Sequence, residues 1–127
     1  MDEDLWMIQA VIQPFKLDAV SFALQQVPGF GGMTVSDCRG YGHGKLTPGQ
    51  DADSGAGDAK MKDTGLIDYT GKLRVDVAVS GRATADRVVE AIAQGAHTGR
   101  RGDGKVFLWP IARAVRIRTL GEGPSAI

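Results

Sequence analysis

Several residue types and patterns are scarce in this sequence, and each scarcity excludes a class of protein. The 127 residues include one cysteine, Cys38, so no disulfide can form within the chain. Aromatic residues make up 6%, and 15 Lys and Arg residues balance 15 Asp and Glu residues, so neither an aromatic surface nor a basic field favours nucleic acid. No apolar run approaches the about 20 residues of a membrane span. The acidic start also differs from the basic start of a secretory signal, and we predict a cytoplasmic protein.

The composition that remains is typical of one globular domain over residues 1–127, with 43% hydrophobic and 24% charged residues. Apolar residues that alternate with polar ones predict half-buried strands, most clearly at 73–79. Apolar stripes at spacings of three and four predict two helices, one over roughly 16–27 and one that follows Thr84 as its N-cap. The predicted strands are 5–12, 32–39, 73–79, 106–109 and 115–118.

The order of these elements predicts the fold. It is β-α-β, a long connection and then β-α-β, which describes an α+β, ferredoxin-like βαββαβ subunit with an additional short C-terminal strand. Both helices would cover one face of an antiparallel sheet. The alternating positions of the other face are apolar enough that we expect another subunit to cover it.

The long connection between the two halves spans residues 40–71. It is rich in Gly, Asp, Ser and Lys and nearly free of large apolar groups. Such a segment cannot offset the entropy of ordering by burial, and a loop of this length in a compact domain is usually functional. We therefore predict a long functional loop here.

A second loop, 96–105, carries the strongest chemical signal. Its end, Thr98–Lys105, contains three glycines and three basic residues. Glycines allow tight turns that bring backbone N–H groups close to an anion, and the basic side chains add positive charge, so the segment suits a polyphosphate. A solvated connection with incidental basic residues accounts for the same sequence equally well, and no Walker A pattern is present. Arg116 and Arg118, on one side of the predicted last strand, would add phosphate contacts or make an exposed edge soluble.

The sequence carries no recognisable catalytic or metal-binding arrangement. His43 and His97 are the only histidines, and with Cys38 they form no metal-ligand spacing. No nucleophile elbow or activated cysteine motif accompanies them. We therefore predict a protein that is not an enzyme, with a small ferredoxin-like hydrolase of phosphate esters or nucleotides as the alternative. An RNA-binding module on the same fold is disfavoured by the few aromatic residues and the zero net charge.

Five segments of the chain resemble the PII signal-transduction family, in the same order. They are Gln13–Asp18, Gly32–Val35, Arg39–Gly42, Thr98–Phe107 and Ala112–Thr119, followed by the closing Ala126-Ile127. The resemblance implies a homotrimer that binds adenine nucleotide (ADP, AMP or ATP) in the clefts between subunits. It also implies a signalling role in nitrogen or carbon regulation, in which a mobile T-loop, here 40–71, docks onto a transporter, an enzyme or a regulator.

The same resemblance implies candidate site residues. Phosphate contacts would come from the second loop and from two arginines of a neighbouring subunit, and other residues would line the cleft. The nucleotide-binding candidates are Val11, Thr34, Gly40, Gly42, Gly102, Asp103, Gly104, Lys105, Arg116 and Arg118. The candidates for an effector site at the base of the T-loop are His43, Lys45 and Lys72.

Two departures from the family pattern bear on the effector. Gly42 is followed by His43-Gly44-Lys45, where typical members have Arg-Gln-Lys. The missing glutamine helps hold magnesium and 2-oxoglutarate in the family, so bicarbonate is favoured here over 2-oxoglutarate, and binding of magnesium is left open. The modifiable tyrosine near the loop tip is also missing, since the only tyrosines are Tyr41 and Tyr69. The chain thus resembles a divergent PII-like branch that responds to another cue.

Overall fold

A computed structural model describes residues 4–42, 60–63 and 67–127 of the chain. Within these ranges the elements are, in order, β1 (Leu5–Ile12), α1 (Leu17–Gln25), β2 (Thr34–Gly40), β3 (Lys60–Asp63), β4 (Ile67–Ser80), α2 (Arg82–Ala96) and β5 (Gly104–Ile111). Single 3-10 turns at Pro14–Lys16 and Gly123–Ala126 precede α1 and end the chain. Neither helix in these ranges has the length and apolar character required to cross a membrane.

The strands form one antiparallel sheet in the order β2-β4-β1-β5. The short β3 pairs with the first residues of β4, beyond the end of β1. With two helices inserted between the strands, this is the ferredoxin-like arrangement, and the prediction of the fold class is confirmed.

The core lies between one face of the sheet and both helices. Alternate residues of β1 and β4 point into it, because side chains along a strand alternate between the two faces. Those strand residues are Ile8, Ala10, Ile12, Val75, Val77 and Val79. The helices contribute Val20, Leu24, Ala85, Val88, Ile92 and Ala96. Each fully buried Val, Leu or Ile side chain contributes roughly 1.5–3 kcal/mol, so this cluster holds the helices on the sheet.

The second helix begins earlier than the sequence predicts. It starts at Arg82, and Gly81 is its N-cap, so the prediction of Thr84 as the cap is wrong. Gly81 has a φ of 92°, a conformation that favours glycine, and its N–H donates to the Asp4 carbonyl over 2.8 Å. Thr84 lies inside the first turn, where its side chain packs against Gly29.

Both predicted loops are shorter in the structure. Strand β4 begins at Ile67 and pairs with β3, so the last third of the predicted 40–71 loop contains two paired strand segments. Helix α2 extends to Ala96 and β5 begins at Gly104, which leaves residues 97–103 as the second loop. A β-ladder provides hydrogen bonds for the backbone N–H and C=O groups whatever the side chains are. A polar segment therefore forms strands that a search for alternating apolar residues misses.

The predicted strand at 115–118 is corrected to an isolated β-bridge between Val115 and Glu122. A turn closes this bridge, in which the Leu120 N–H donates to the Arg116 carbonyl over 2.7 Å. Arg116 and Arg118 therefore do not lie along one side of a strand. The alternation of only four residues, 115–118, predicts a paired strand, but the tight turn leaves room for a single bridge.

Candidate functional site

The sheet face opposite the helices carries the candidate site. We call it the open face, and its cross-strand neighbours form three successive rows. The first row is Ala78, Met7 and Trp109; the second is Thr34, Asp76, Gln9 and Phe107; the third is Ser36, Arg74, Val11 and Lys105. Directly opposite residues in an antiparallel pair share a face, so these side chains lie together although their positions in the sequence are far apart. The open face thus changes from apolar in the first row to basic in the third.

The loop 97–103 closes on its own aspartate. The Asp103 carboxylate accepts hydrogen bonds from the N–H of Thr98 over 2.7 Å and the N–H of Gly99 over 2.9 Å, and also from the Thr98 hydroxyl. The Thr98 hydroxyl oxygen in turn accepts from the Arg100 N–H over 3.0 Å. His97 lies near the same carboxylate, with Nδ1 at 4.0 Å from Oδ2. Asp103 is therefore the residue that shapes the loop.

The environment of Asp103 favours its ionised form. Partial burial works toward a higher pKa, but the hydrogen bonds from Thr98 and Gly99, together with the Gln13 side chain, outweigh it and lower the pKa below the ordinary value of 3.8. Because the folded-state pKa is below the unfolded one, the ionised carboxylate stabilises the fold above about pH 3.8, and this contribution is lost as the pH falls through the lowered value.

We therefore expect Asp103→Asn to lose roughly 1 kcal/mol of unfolding free energy at pH 7, because an amide is a weaker acceptor for three donors. The difference from the parent protein should shrink below pH 3.8 and vanish in stronger acid. Urea unfolding at a series of pH values measures it. A difference that stays constant from pH 7 into the acid range would contradict the role of the charge.

The residue after the loop begins β5 and touches β1. Gly104 has a φ of 104°, and a Cβ placed there would lie 1.7 Å from the carbonyl oxygen of Val11. Only glycine allows this approach. It brings the end of the loop against the backbone of β1, where Gly104 pairs with Ile12 and Lys105 lies opposite Val11.

Lys72 connects the loop to the strand that leads out of the 40–71 segment. Its ammonium group on β4 donates to the carbonyl oxygen of Gly102 over 2.6 Å. Lys72 was predicted from the family resemblance as an effector residue, and here it lies beside the loop predicted to bind phosphate. Two lysines thus lie next to the loop 97–103: Lys72 on β4, which contacts Gly102, and Lys105 at the start of β5.

A cleft of about 270 Å³ opens on the same face, beside the first and second rows. Its lining residues are Met7, Gly31, Gly32, Met33, Thr34, Asp76, Ala78, Ala126 and Ile127. Of these, only Thr34 was among the predicted site residues. The two methionines and Ala78 form an apolar wall, and Asp76 is the charged group. Such a mixture is typical of small-molecule sites.

The Asp76 carboxylate is held from two sides. Gln9 Nε2 donates to Oδ1 over 3.1 Å, and the Arg74 guanidinium lies 3.3 Å from Oδ2. These contacts orient the carboxylate on the open face. The alternation of β4 already places Arg74 and Asp76 on this face, but the register that brings Gln9 to them is not visible in the sequence.

The predicted nucleotide-binding residues are partly brought together. Val11, Gly102, Asp103, Gly104 and Lys105 form one group around the loop, and Thr34 lies in the neighbouring cleft. Gly40 is the last residue of β2, and Gly42 lies two residues beyond it. The predicted effector residues His43 and Lys45 lie outside the described residues.

The two predicted arginines lie in the C-terminal segment. The Arg116 guanidinium donates to the carbonyl oxygen of Ile127 over 2.9 Å, and Ile127 lines the cleft. Arg118 lies in the turn that follows Arg116. Across residues 4–42, 60–63 and 67–127, no group of three or more His, Cys, Asp or Glu side chains is arranged to hold a metal ion.

Comparison with known proteins places the chain among regulatory proteins. A family model described as "Nitrogen regulatory protein P-II" matches residues 5–120. The nitrogen regulatory protein P-II of Azospirillum brasilense is 39% identical over 124 residues, which cover 94% of this chain and 97% of that protein. The P-II protein of Rhizobium etli is 40% identical over 119 residues, covering 94% and 96%.

Solved structures agree on the fold. Arabidopsis thaliana PII bound to citrate superposes with a TM-score of 0.72 at 27% identity, over 98% of this chain and 92% of that one. A Bacillus subtilis GlnK–ATP complex gives a TM-score of 0.72 over 100% and 99% of the two chains. Its identity of 23% makes that likeness one of fold alone.

Proposed function

Because this chain belongs to the P-II nitrogen regulatory protein family, we propose that it is a signalling protein that binds an adenine nucleotide and reports it to a target protein. The observation that carries the proposal is the loop 97–103. It is shaped by Asp103, pressed onto β1 at Gly104, and flanked by the ammonium groups of Lys72 and Lys105. Backbone N–H groups together with cations are what a polyphosphate needs.

In this proposal the phosphates contact the backbone at Gly102–Gly104 and the Lys105 side chain. The Asp103 carboxylate is negatively charged and already accepts from Thr98 and Gly99, so any phosphate contact by this residue is made through its backbone amide. The base occupies the cleft that contains Thr34. A Bacillus subtilis GlnK of the same fold was solved as its complex with ATP.

We also propose that three copies assemble through the open face. Phe107 and Trp109 are 47% and 41% exposed there, which is unusual for large apolar side chains of a strand unless another surface covers them. A neighbouring copy on this face would bring its own Arg116 and Arg118 towards the phosphate loop. Sedimentation should then give a mass three times the 13.4 kDa of the chain, and a 13.4 kDa species at all concentrations would rule the assembly out.

The target-binding role is proposed for the T-loop, residues 40–71. Lys72 supports a link between this segment and the nucleotide, since it lies on β4 and donates to Gly102. We propose that a small effector, bicarbonate rather than 2-oxoglutarate, acts near this lysine together with His43 and Lys45. A transporter, an enzyme or a regulator is the proposed target, and no catalytic turnover is part of the proposed role.

Isothermal titration with ADP, AMP and ATP tests the proposed function, each nucleotide alone and with bicarbonate or 2-oxoglutarate. We expect nucleotide binding that 2-oxoglutarate does not strengthen, because Gly44 has no side chain where the family has glutamine. Binding of ATP only together with 2-oxoglutarate would reverse the proposed choice of effector. The absence of binding for all three nucleotides would overturn the proposed function itself.

A further inference from the structure

Gln13, the residue that follows β1, is a buried polar group that the proposed site does not use. Its side chain is 0% exposed, and neither Nε2 nor Oε1 makes a hydrogen bond within the described residues. Buried polar groups are nearly always hydrogen-bonded, because an amide that leaves water without gaining a partner loses free energy. Two unpaired atoms on one buried amide are therefore a feature that the fold alone does not account for.

Gln13 lies between two groups that contact the loop 97–103. The pairing of β1 with β4 and with β5 ends at Ile12. Gln13 is still extended, with φ −71° and ψ 138°, so one more step of the same register places it between Lys72 and Asp103. Its amide is close enough to the Asp103 carboxylate to favour the ionised form, although it does not reach hydrogen-bond geometry.

We propose that Gln13 is a positioning residue that bridges Lys72 and Asp103 when a nucleotide binds. In the bridge, Oε1 accepts a hydrogen bond from the Lys72 ammonium group and Nε2 donates one to the Asp103 carboxylate. The bridge joins the strand that leads out of the T-loop to the loop 97–103. This inference rests on the proposed function, because the nucleotide brings the two ends of the bridge together.

The amide suits both neighbours because it carries an acceptor and two donors. Lys72 only donates and ionised Asp103 only accepts, so Oε1 and Nε2 match them in one orientation. Asp103 Oδ1 accepts from the Thr98 hydroxyl, and a carboxylate oxygen offers about two lone-pair sites. An ammonium group has three N–H donors, so a contact to Gln13 forms alongside the contact to Gly102.

Nucleotide binding closes the bridge by drawing both of its ends towards one ligand. Phosphates that contact the backbone at Gly102–Gly104 attract the Lys72 ammonium group as well. The Gln13 amide is held between them by its burial, so a small movement brings it into hydrogen-bond distance. Because the bridge forms only in the bound state, it contributes to nucleotide affinity and not to the stability of the free protein.

The test replaces Gln13 with methionine, which has a similar length but no amide. We expect Gln13→Met to bind ADP about 10-fold more weakly by isothermal titration, since a hydrogen bond to a charged group is lost. In urea unfolding without nucleotide it should be at least as stable as the parent protein, because an unpaired amide is removed from the interior. A purely structural role for Gln13 predicts the reverse, a loss of stability with unchanged affinity, and that result would overturn the inference.

Two further variants locate the bridge. Gln13→Glu keeps the shape and serves if Gln13→Met fails to fold; it lacks the donor and repels Asp103, so it should also weaken ADP binding. In a Lys72→Met background one end of the bridge is already gone, so adding Gln13→Met should cost less than about 3-fold. The matched control is Gln25→Met, which changes an exposed glutamine of α1 and should bind ADP as the parent protein does.

Nuclear magnetic resonance of the Gln13 side-chain NH₂ group reads the bridge directly. Its signals are assigned by their loss in Gln13→Met and should move downfield at saturating ADP, because Nε2 gains a charged acceptor. Unmoved signals, or equal ADP affinity in a folded Gln13→Met, would overturn the inference and leave the proposed function standing. If the parent protein binds no nucleotide, the proposed function and this inference fail together.

Discussion

Gly104→Ala should destabilise the fold by roughly 2–5 kcal/mol, because the new methyl group combines an unfavourable φ with a backbone overlap. The φ of Gly104 is 104°, and its Cβ would lie 1.7 Å from the Val11 carbonyl oxygen and 2.8 Å from the Val11 carbonyl carbon. Those atoms belong to the central strand and cannot rotate away as a side chain would. Relief requires β5 to move off β1, which breaks the ladder at its first pair, Ile12 with Gly104.

Urea unfolding followed by circular dichroism measures this loss, and nucleotide titration shows whether the loop survives in the folded fraction. Gly71→Ala is the matched control, since nothing lies within 4 Å of a Cβ there and its φ needs no glycine. It should stay within about 0.5 kcal/mol of the parent protein. Equal stability of the two variants would show that β5 is not held against Val11 as described.

Lys105→Ala should weaken ADP binding about 10- to 150-fold while the fold remains intact, because a charge-assisted contact to phosphate contributes roughly 1.5–3 kcal/mol. Lys105 is exposed at the start of β5, directly opposite Val11 and next to the loop shaped by Asp103. Its side chain carries little packing, so the loss appears in affinity and not in stability. Isothermal titration at constant ionic strength measures it.

Two variants separate this contact from a general charge effect. Lys105→Arg keeps the positive charge and should retain most of the affinity. Arg87→Ala removes an exposed cation from α2, on the other side of the molecule, and should bind ADP as the parent protein does. If Lys105→Ala binds ADP normally, the proposed phosphate site at the start of β5 is wrong.

Several parts of the fold follow from local patterns. The alternation at 5–12 and 73–79 predicts β1 and β4 because one face of each strand is buried under the helices. The apolar stripe at 16–27 predicts α1 for the same reason. The start of α2 cannot be predicted from local patterns. Thr84 has the chemistry of a cap, but Gly81 has the backbone conformation that the turn from β4 requires.

The candidate site shows the same division. Glycines and basic residues at 98–105 suit an anion site but fit a solvated connection equally well, and the structure places Gly104 and Lys105 next to Val11. The role of Asp103 does not follow from the sequence, because an acidic residue in a basic loop has no evident use until the N–H and O–H groups that donate to it are seen. The alternation at 115–118 predicts Arg116 and Arg118 on one side of a strand, but the structure has a turn there, so the two side chains do not share a strand face.

The sequence by itself determined the fold class, the composition of the core and the family. Burial of one face gives each strand and helix a periodic spacing of apolar residues, and the family motifs occur in a set order. Tertiary structure alone decided which polar groups meet on the open face. Gln9 and Asp76 are 67 positions apart, and their contact depends on the register between β1 and β4. A shift of one residue in that register would turn Asp76 towards the core, and only the packing of the helices against the other face excludes it.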